Sequence, residues 1–203
     1  MTSQRKRRGT GRRRRAREMA VQMLYQREMG QTPVPQIFES FDIEDYITET
    51  ESVVQRAEPP SGETPAPPPR RNAADDESQA TRRRRAEESF RYAQKLVQGT
   101  LADGDAIDGV IRRHAENWRL ERMPPIDRSI LRLAIYEMLR ERGVPKVVIV
   151  DEAIELAKKF GSENSSRFVN GLLDGVLKSK VLDGMAVDGA VSSAELSDGA
   201  GVA

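Results

Sequence analysis

The sequence predicts an all-α protein, and three observations lead to this fold class. Apolar residues recur with helical spacing in each segment that carries a hydrophobic pattern. The run that resembles a strand, Val147–Val150, continues into apolar residues spaced three and four apart, so we assign it to a helix. Proline and glycine stand between these segments, where helices begin and end. We therefore expect about seven helices packed against one another, with polar segments outside them.

The helix predicted over Pro125–Leu139 should lie at the centre of this fold. Its apolar residues cover more than one stripe, so other helices should surround it. Pro125 suits a first helical turn, where a missing N–H costs nothing, and Gly143 with Pro145 should end the helix. The other helices are expected over Arg12–Gly30, Val34–Thr50 with a break near Asp42, Arg82–Leu101, Asp105–Trp118, Lys146–Phe160 and Ser165–Leu177.

Composition indicates which parts of the chain are ordered. Of 203 residues, 37% are hydrophobic and 32% are charged, which is a low apolar content for a fully compact chain. Residues 51–81 are rich in proline and almost free of large aliphatic side chains after Val54, so they should form a flexible linker. We expect a disordered basic arm over 1–11, one helical domain over 12–180 that includes the linker, and a disordered tail over 181–203.

The residue types that the chain lacks exclude several classes of protein. It has no cysteine and one histidine, which excludes disulfides and thiol catalysis and argues against a zinc site. His114 and Trp118 lie one turn apart on an apolar face, which favours core packing. No Ser/His/Asp pattern or glycine-rich phosphate loop is present, so we expect no catalytic site, cofactor or metal. Because no apolar run has the about 18 residues of a membrane span, we expect a cytoplasmic protein without a membrane partner.

The strongest functional signal is the arginine-rich amino-terminal segment. Residues 1–17 hold nine Arg or Lys and no acidic residue. The helix predicted from Arg12 begins with four arginines, although the helix dipole disfavours cations in a first turn, so folding does not explain them. Guanidinium groups offer paired donors to phosphate and stack on bases. The segment therefore favours a nucleic-acid partner over an anionic membrane, with a solvated tail as the alternative.

A second arginine cluster, Arg82–Arg85, is a weaker candidate. Its sequence RRRRAEE at 82–88 echoes RRRRARE at 12–18, and this echo is too short to indicate a duplication. Acidic residues precede and follow the second cluster, so its charge is locally balanced. The pattern favours a solvated helix start and leaves open whether the cluster enlarges a nucleic-acid surface.

The polar loop Gly161–Arg167 stands between two apolar helices and is a further candidate. The start of the following helix offers free N–H groups to a phosphate, and Arg167 adds positive charge. Ser162 and Ser165 are equally suited to cap that helix, and capping does not exclude binding.

Three blocks of sequence resemble the NusB family of bacterial transcription antitermination factors. They are RRRRAREMAVQMLYQ near the start, IDRSILRLAIYEML in the middle and VIVDEAIELAKKFGSENSSRFVNGLLDGVL near the end. The resemblance implies an all-helical fold of two packed helical bundles. It also implies binding to boxA RNA of ribosomal RNA leaders with NusE, a small-subunit ribosomal protein, and association with elongating RNA polymerase through other Nus factors. Relative to the family, residues 51–81 form an insertion.

The resemblance implies that the arginine-rich segment and the loop before the last helix contact RNA. It places the NusE contact near the start of the central helix. Tyr25 and Phe168 are equally suited to the core. A neutral Asn164, where relatives often carry an acidic residue, should cost no RNA affinity because it does not repel phosphate. Carried onto this chain, the RNA-binding residues are Arg13, Arg14, Arg15, Arg17, Tyr25, Asn164, Arg167 and Phe168, and the partner-binding residues are Asp127 and Arg128.

This interpretation makes a testable statement about the arginines. Replacing Arg14 and Arg17 by alanine should weaken boxA binding and leave the thermal midpoint nearly unchanged. Two other functions stay open. A similar helical module precedes the catalytic domain of some ribosomal RNA cytosine methyltransferases, although this chain has no glycine-rich loop for S-adenosylmethionine and no cysteine nucleophile. A protein-only scaffold solubilised by its arginines would not discriminate between RNAs. A homodimer that hides the RNA surface also stays open.

Overall fold

The predicted all-α fold class is confirmed. The computed structural model describes residues 3–48, 79–115, 119–179 and 181–182, and within these ranges the ordered elements are helices without strands. The helices are α1 (Ser3–Gly30), α2 (Val34–Ser40), α3 (43–48), α4 (Gln79–Ala102), α5 (Gly104–His114), α6 (Pro125–Arg140), α7 (Lys146–Phe160) and α8 (Ser165–Lys178), with a 3-10 turn at Leu120–Arg122.

Several boundaries agree with the sequence pattern. Helix α7 has the predicted limits, and α6 begins at Pro125 as expected. The predicted break near Asp42 separates α2 from α3, because the Asp42 carboxylate accepts hydrogen bonds from the backbone N–H groups of Glu44 at 2.8 Å and Asp45 at 3.1 Å. This is the geometry by which aspartate caps a new helix. The break therefore has a local cause that the sequence contains.

The amino-terminal end differs from the prediction. The sequence predicted a disordered arm over 1–11, whereas α1 is helical from Ser3. Arginine, lysine and glutamine are good helix formers, and each glycine costs only about 1 kcal/mol against alanine. Once the packed part of a helix has formed, adding residues to its end avoids the cost of nucleation. Helix α1 therefore extends outward past its predicted start.

Helix α4 also begins before its predicted start. Its first residue is Gln79, inside the predicted linker 51–81. Helix α5 ends at His114, where the N–H of Ala115 bonds to the carbonyl of Ile111, rather than at Trp118. Trp118, the rest of the linker and the predicted tail from 183 onward lie outside the described residues.

Helix α6 lies at the centre, as predicted. It contacts α1, α4, α5, α7 and α8, and its apolar residues are buried almost all round. Gly99 of α4 permits a close approach, because a Cβ at this position would collide with the ring and hydroxyl of Tyr136 on α6. The fully buried side chains of α6 include Ile130, Leu131, Leu133 and Ile135.

Ion pairs across α6 show the directions of its neighbours. Arg17 and Glu28 of α1 pair with Glu137 and Arg128 of α6, so residue numbers rise on one helix and fall on the other. On α4, Lys95 pairs with Glu141 while Gly99 lies against Tyr136, which gives the same opposed order. Helices α1 and α4 both run antiparallel to α6. They therefore run parallel to each other, and they pack together along their lengths.

The helices form two groups that share α6, in agreement with the two bundles that the resemblance implied. Helix α2 packs on α1, and its Phe38 meets the ring of Phe90 on α4 edge-on at a centroid distance of 6.5 Å. Helices α5, α7 and α8 pack on the other sides of α6. A continuous hydrophobic cluster runs through both groups. Side chains on α1 and α7 are consequently held by one continuous core.

Candidate nucleic-acid interface

The outward arginines of α1 form the most basic surface of the predicted site. Arg12 and Arg14 have exposed side-chain fractions of 54% and 48%. Arg15 is exposed, and no hydrogen bond or ion pair ties it to the described part of the chain. Arg13 is half-buried near Tyr92. These side chains offer guanidinium groups to solvent from a helix whose opposite side is packed.

Arg17 is the exception, and the structure corrects its predicted role. Its residue is 3% exposed, and its Nε and Nη2 atoms donate to the two carboxylate oxygens of Glu137 at 2.8 and 2.9 Å. A third nitrogen, Nη1, lies 3.4 Å from the carboxylate of Glu152. Arg17 therefore ties α1 to α6 and α7 and does not face a ligand. The expectation that its replacement leaves stability unchanged is wrong, because it would leave Glu137 buried without a partner.

Glu18 joins the arginine surface to α7. It is 7% exposed, and its Oε2 accepts hydrogen bonds from Tyr46 at 2.9 Å and from Lys159 at 2.7 Å. Arg14 lies 3.6 Å from the other carboxylate oxygen and also 3.7 Å from Glu155 of α7. These contacts hold the end of α7 beside the arginines. The loop that follows α7 consequently begins on the same side of the molecule.

The loop Gly161–Arg167 closes on itself before α8. The hydroxyl of Ser165 accepts the N–H of Ser162 at 2.8 Å, and the two hydroxyls are 3.0 Å apart. The expectation that these serines cap α8 is therefore wrong: the cap position is Asn164, whose side chain makes no capping hydrogen bond. Asn164 and Arg167 are exposed. The N–H of Ser165 bonds to the carbonyl of Ser162 at 3.0 Å, which leaves the N–H groups of Ser166 and Arg167 for solvent or an anion.

The two aromatic candidates lie in different environments. Tyr25 is 39% exposed on α1, so the alternative of a core position does not hold for it. Phe168 is half-buried and packs against the hydrophobic core from the first turn of α8. The Tyr25 ring is thus the more accessible of the two.

The two predicted partner-binding residues face inward. Asp127 is 2% exposed, and its Oδ1 has no hydrogen-bond partner among the described residues. Burial raises the pKa of Asp127, and a hydrogen bond with Ser165 opposes that rise. Arg128 has an exposed side-chain fraction of 13%; it pairs with Glu28 and donates to the carbonyl of Leu120. Both residues therefore hold α6 in place and are not available as direct contacts for a docked protein.

Sequence reasoning missed the residues that assemble this surface. Glu18 and Lys159, which bond to each other, are not among the residues that the sequence pattern singled out. Two sequence features could have identified them: Glu18 directly follows the arginine run, and Lys159 belongs to a lysine pair that precedes the polar loop by one residue. His114 is anchored between the carbonyl of Val110 at 2.9 Å and Ser179 Oγ at 2.8 Å, which agrees with a packing role.

Metal-binding clusters and membrane-spanning helices are both absent from the described ranges. These ranges contain no group of three or more His, Asp or Glu side chains placed to hold a metal ion. None of their helices is long and apolar enough to cross a bilayer. What the described site offers is positive charge and helix N–H groups on one face, an arrangement suited to phosphate.

Comparison with known proteins agrees with the resemblance in the sequence. The family model described as NusB matches residues 68–178. The transcription antitermination protein NusB of Elusimicrobium minutum is 36% identical over 171 residues, which are 84% of this chain and 96% of that protein. NusB of Solibacter usitatus is 58% identical over 81 residues, 40% of this chain and 55% of that protein. The alignments with the first curated relatives cover less than two thirds of their length, from 55% to 66%.

Solved structures show the same fold. The structure of T. maritima NusB is 31% identical and superposes with a TM-score of 0.57 over 82% of this chain and 91% of that one. A structure of antitermination factors NusB and NusE in complex with dsRNA has a TM-score of 0.55 over 82% of this chain and 96% of that one, and at 20% identity it supports the fold alone. Because the NusB family model matches residues 68–178 and the Elusimicrobium minutum protein aligns over 96% of its own length, the chain belongs to the NusB family.

Proposed function

We propose that the chain is a non-catalytic, RNA-binding transcription antitermination factor. With NusE it binds boxA RNA of ribosomal RNA leaders and, through other Nus factors, helps the elongating polymerase resist termination. The observation that carries this proposal is the arginine surface Arg12–Arg15, which contacts through Glu18 link to the end of α7, next to the loop Gly161–Arg167. The names of the relatives, transcription antitermination protein NusB, support the same function.

The arginine surface is suited to exchange its partners for phosphates. Arg14 lies 3.6 Å and 3.7 Å from carboxylates while half exposed, and ion pairs of this kind contribute only about 0–1 kcal/mol. A phosphate offers oxygens that match the two donors of a guanidinium group. Binding therefore costs the folded protein little. Arg13, Arg14 and Arg15 are the proposed phosphate contacts on α1.

The other end of the proposed surface recognises RNA by different means. Asn164 gives no side-chain cap to the N–H groups of Ser166 and Arg167, and the exposed side chain of Arg167 lies in the same first turn of α8. A phosphate bound there gains from the helix dipole. Tyr25 offers a partly exposed ring on which a splayed base of a single strand can stack. Phe168 contributes the accessible edge of its ring.

A titration with a labelled boxA oligonucleotide, with and without NusE at two salt concentrations, tests the proposal. Affinity should fall with salt by about 0.7 log unit per log unit of salt for each phosphate neutralised on a single strand. An unrelated RNA of equal length is the matched control, because a scaffold solubilised by arginine would bind both alike. Failure to bind boxA RNA at low salt in the presence of NusE would refute the proposed function.

The predicted homodimer stays a prediction. Light scattering with and without RNA tests it, because a dimer that hides the arginine surface should dissociate when RNA binds. The predicted NusE contact near the start of α6 also needs a new position, since Asp127 and Arg128 face inward.

A further inference from the structure

The second arginine cluster lies against the first one. Helices α1 and α4 run parallel and pack together, so their two arginine-rich stretches are brought side by side. The carboxylate of Glu88 on α4 marks the junction: Arg12 of α1 lies 3.5 Å from one of its oxygens, and Arg84 of α4 lies 3.8 Å from the other. The basic surface of α1 therefore continues across Glu88 onto α4.

The charge at this junction is positive and accessible. One carboxylate stands between two guanidinium groups, so it offsets only one of their two charges. The exposed side-chain fractions are 54% for Arg12 and 75% for Arg84. Arg83, by contrast, lies 3.3 Å from Glu44 and 3.1 Å from Glu87, so two carboxylates hold it. Arg84 is therefore held less tightly by ion pairs than its neighbour Arg83.

The order of groups along this face follows from the same contacts. The loop Gly161–Arg167 begins just after Lys159, which is bound to Glu18. Arg14 lies one turn earlier on α1, and Arg12 with Arg84 lies farther along in the same direction. Since a helix rises about 1.5 Å per residue, the junction lies roughly 10 Å beyond Glu18. A single strand that runs along α1 from the loop, past Arg14 and the exposed Arg15, reaches the junction last.

We propose that Arg84, together with Arg12, forms a second phosphate-binding site that extends the RNA surface from α1 onto α4. The site takes the sugar-phosphate backbone of nucleotides that flank the element bound by Arg13–Arg15 and the loop. Phosphate replaces Glu88 as the partner of both guanidinium groups, and the ion pairs it displaces are long and exposed, hence weak. This extension rests on the proposed RNA-binding function.

Two substitutions in the full-length chain should change affinity in opposite directions. Arg84→Gln removes one phosphate contact, so the slope of log affinity against log salt should become shallower by about 0.7. Between 1 M and 0.1 M salt, the variant should therefore lose about fivefold in affinity relative to the unchanged protein. Glu88→Gln removes the carboxylate that competes with phosphate and should tighten binding. The probe is a labelled single-stranded boxA RNA with flanking leader nucleotides, titrated with NusE at several salt concentrations. Arg112→Gln is the matched control, because Arg112 is exposed on α5 and the substitution removes the same charge elsewhere.

The outcomes separate the two proposals. Weaker binding by Arg84→Gln than by Arg112→Gln, with tighter binding by Glu88→Gln, supports the extended site. Equal affinities for Arg84→Gln and Arg112→Gln overturn it while the proposed function stands, provided that the unchanged protein binds the RNA. Loss of affinity in Glu88→Gln with a lowered thermal midpoint also overturns it, because Glu88 would then have a structural role. If the unchanged protein does not bind the RNA, both proposals fall.

Discussion

Two nearly identical stretches of this chain occupy different environments. RRRRARE at 12–18 and RRRRAEE at 82–88 differ at one position, where Arg17 in the first corresponds to Glu87 in the second. Both are helical, and their alanines, Ala16 and Ala86, are 0% and 2% exposed. The shared pattern therefore sets the same inward side in both helices.

The difference between the stretches lies in what surrounds the position after the alanine. Arg17 faces α6 and α7 and is enclosed by Glu137 and Glu152. Glu87 has an exposed side-chain fraction of 41% and pairs with Arg83 on its own helix. One arginine run is consequently anchored in the core at its end, whereas the other remains a surface feature. A run of like charges thus contains both structural and surface residues, and only the contacts made in the folded protein show which residue has which role.

The largest expected effect is on stability, at Arg17. Arg17→Ala should lower the free energy of unfolding by about 3–5 kcal/mol, because it leaves the buried carboxylate of Glu137 without its paired donors. Urea unfolding followed by circular dichroism measures this. The matched control is Glu87→Ala at the corresponding position of the second stretch, which should stay within about 0.5 kcal/mol of the unchanged protein. Equal effects of the two substitutions would remove the distinction between the stretches.

The pH dependence of the same variant sharpens the comparison. Burial raises the pKa of Glu137, and Arg17 opposes that rise. Without Arg17 the folded-state pKa should rise further, so the folded variant binds a proton more readily than its unfolded chain. Stability then falls as pH rises through the folded-state pKa, and the destabilisation by Arg17→Ala should shrink on acidification. Unfolding curves from neutral pH toward about pH 5 test this; a pH-independent difference would contradict it.

A smaller effect, on binding alone, is expected at the outward side of the first stretch. Arg14→Ala should make the slope of log affinity for boxA against log salt shallower by about 0.7. Between 1 M and 0.1 M salt, the variant should therefore lose about fivefold in affinity relative to the unchanged protein. Its thermal midpoint should hardly change, because the pairs with Glu18 and Glu155 are long, Arg14 is half exposed, and Glu18 keeps its hydrogen bonds with Tyr46 and Lys159. Fluorescence anisotropy and thermal unfolding measure the two quantities. A drop in midpoint comparable to that of Arg17→Ala would show that Arg14 is also structural.

The smallest expected effect comes from making the two stretches identical. Glu87→Arg turns the second into RRRRARE, but the described contacts of this position, unlike those of Arg17, involve no buried carboxylate. The substitution loses the i,i+4 pair with Arg83, worth about 0.3–0.5 kcal/mol, and should otherwise leave stability unchanged. Urea unfolding checks this. A stabilisation of several kcal/mol would mean that the local sequence alone sets the role of the position.

The candidate site could be predicted only in part. Residue type and order identified basic residues such as Arg14 and Arg167. The sequence did not predict which candidates are exposed: Tyr25 and Phe168 occupy similar apolar patterns, and only their neighbours in the fold distinguish them. Asp127 and Arg128 have the composition of surface residues, yet the packing of α6 against the loop before α8 and against α1 turns them inward.

The sequence by itself determined the all-α class, the start of α6, the limits of α7, the break at Asp42 and the presence of an arginine run on the first helix. These depend on helical spacing, caps and proline, which act over a few residues. The tertiary structure alone decided that Arg17 is a core residue, that Glu18 and Lys159 join α1 to α7, and that two distant arginine runs meet at Glu88. The partners in these contacts are more than 70 residues apart in sequence, Arg17 and Glu137 being separated by 120. No local pattern encodes such a pairing, because it exists only once α6 has gathered the other helices around it.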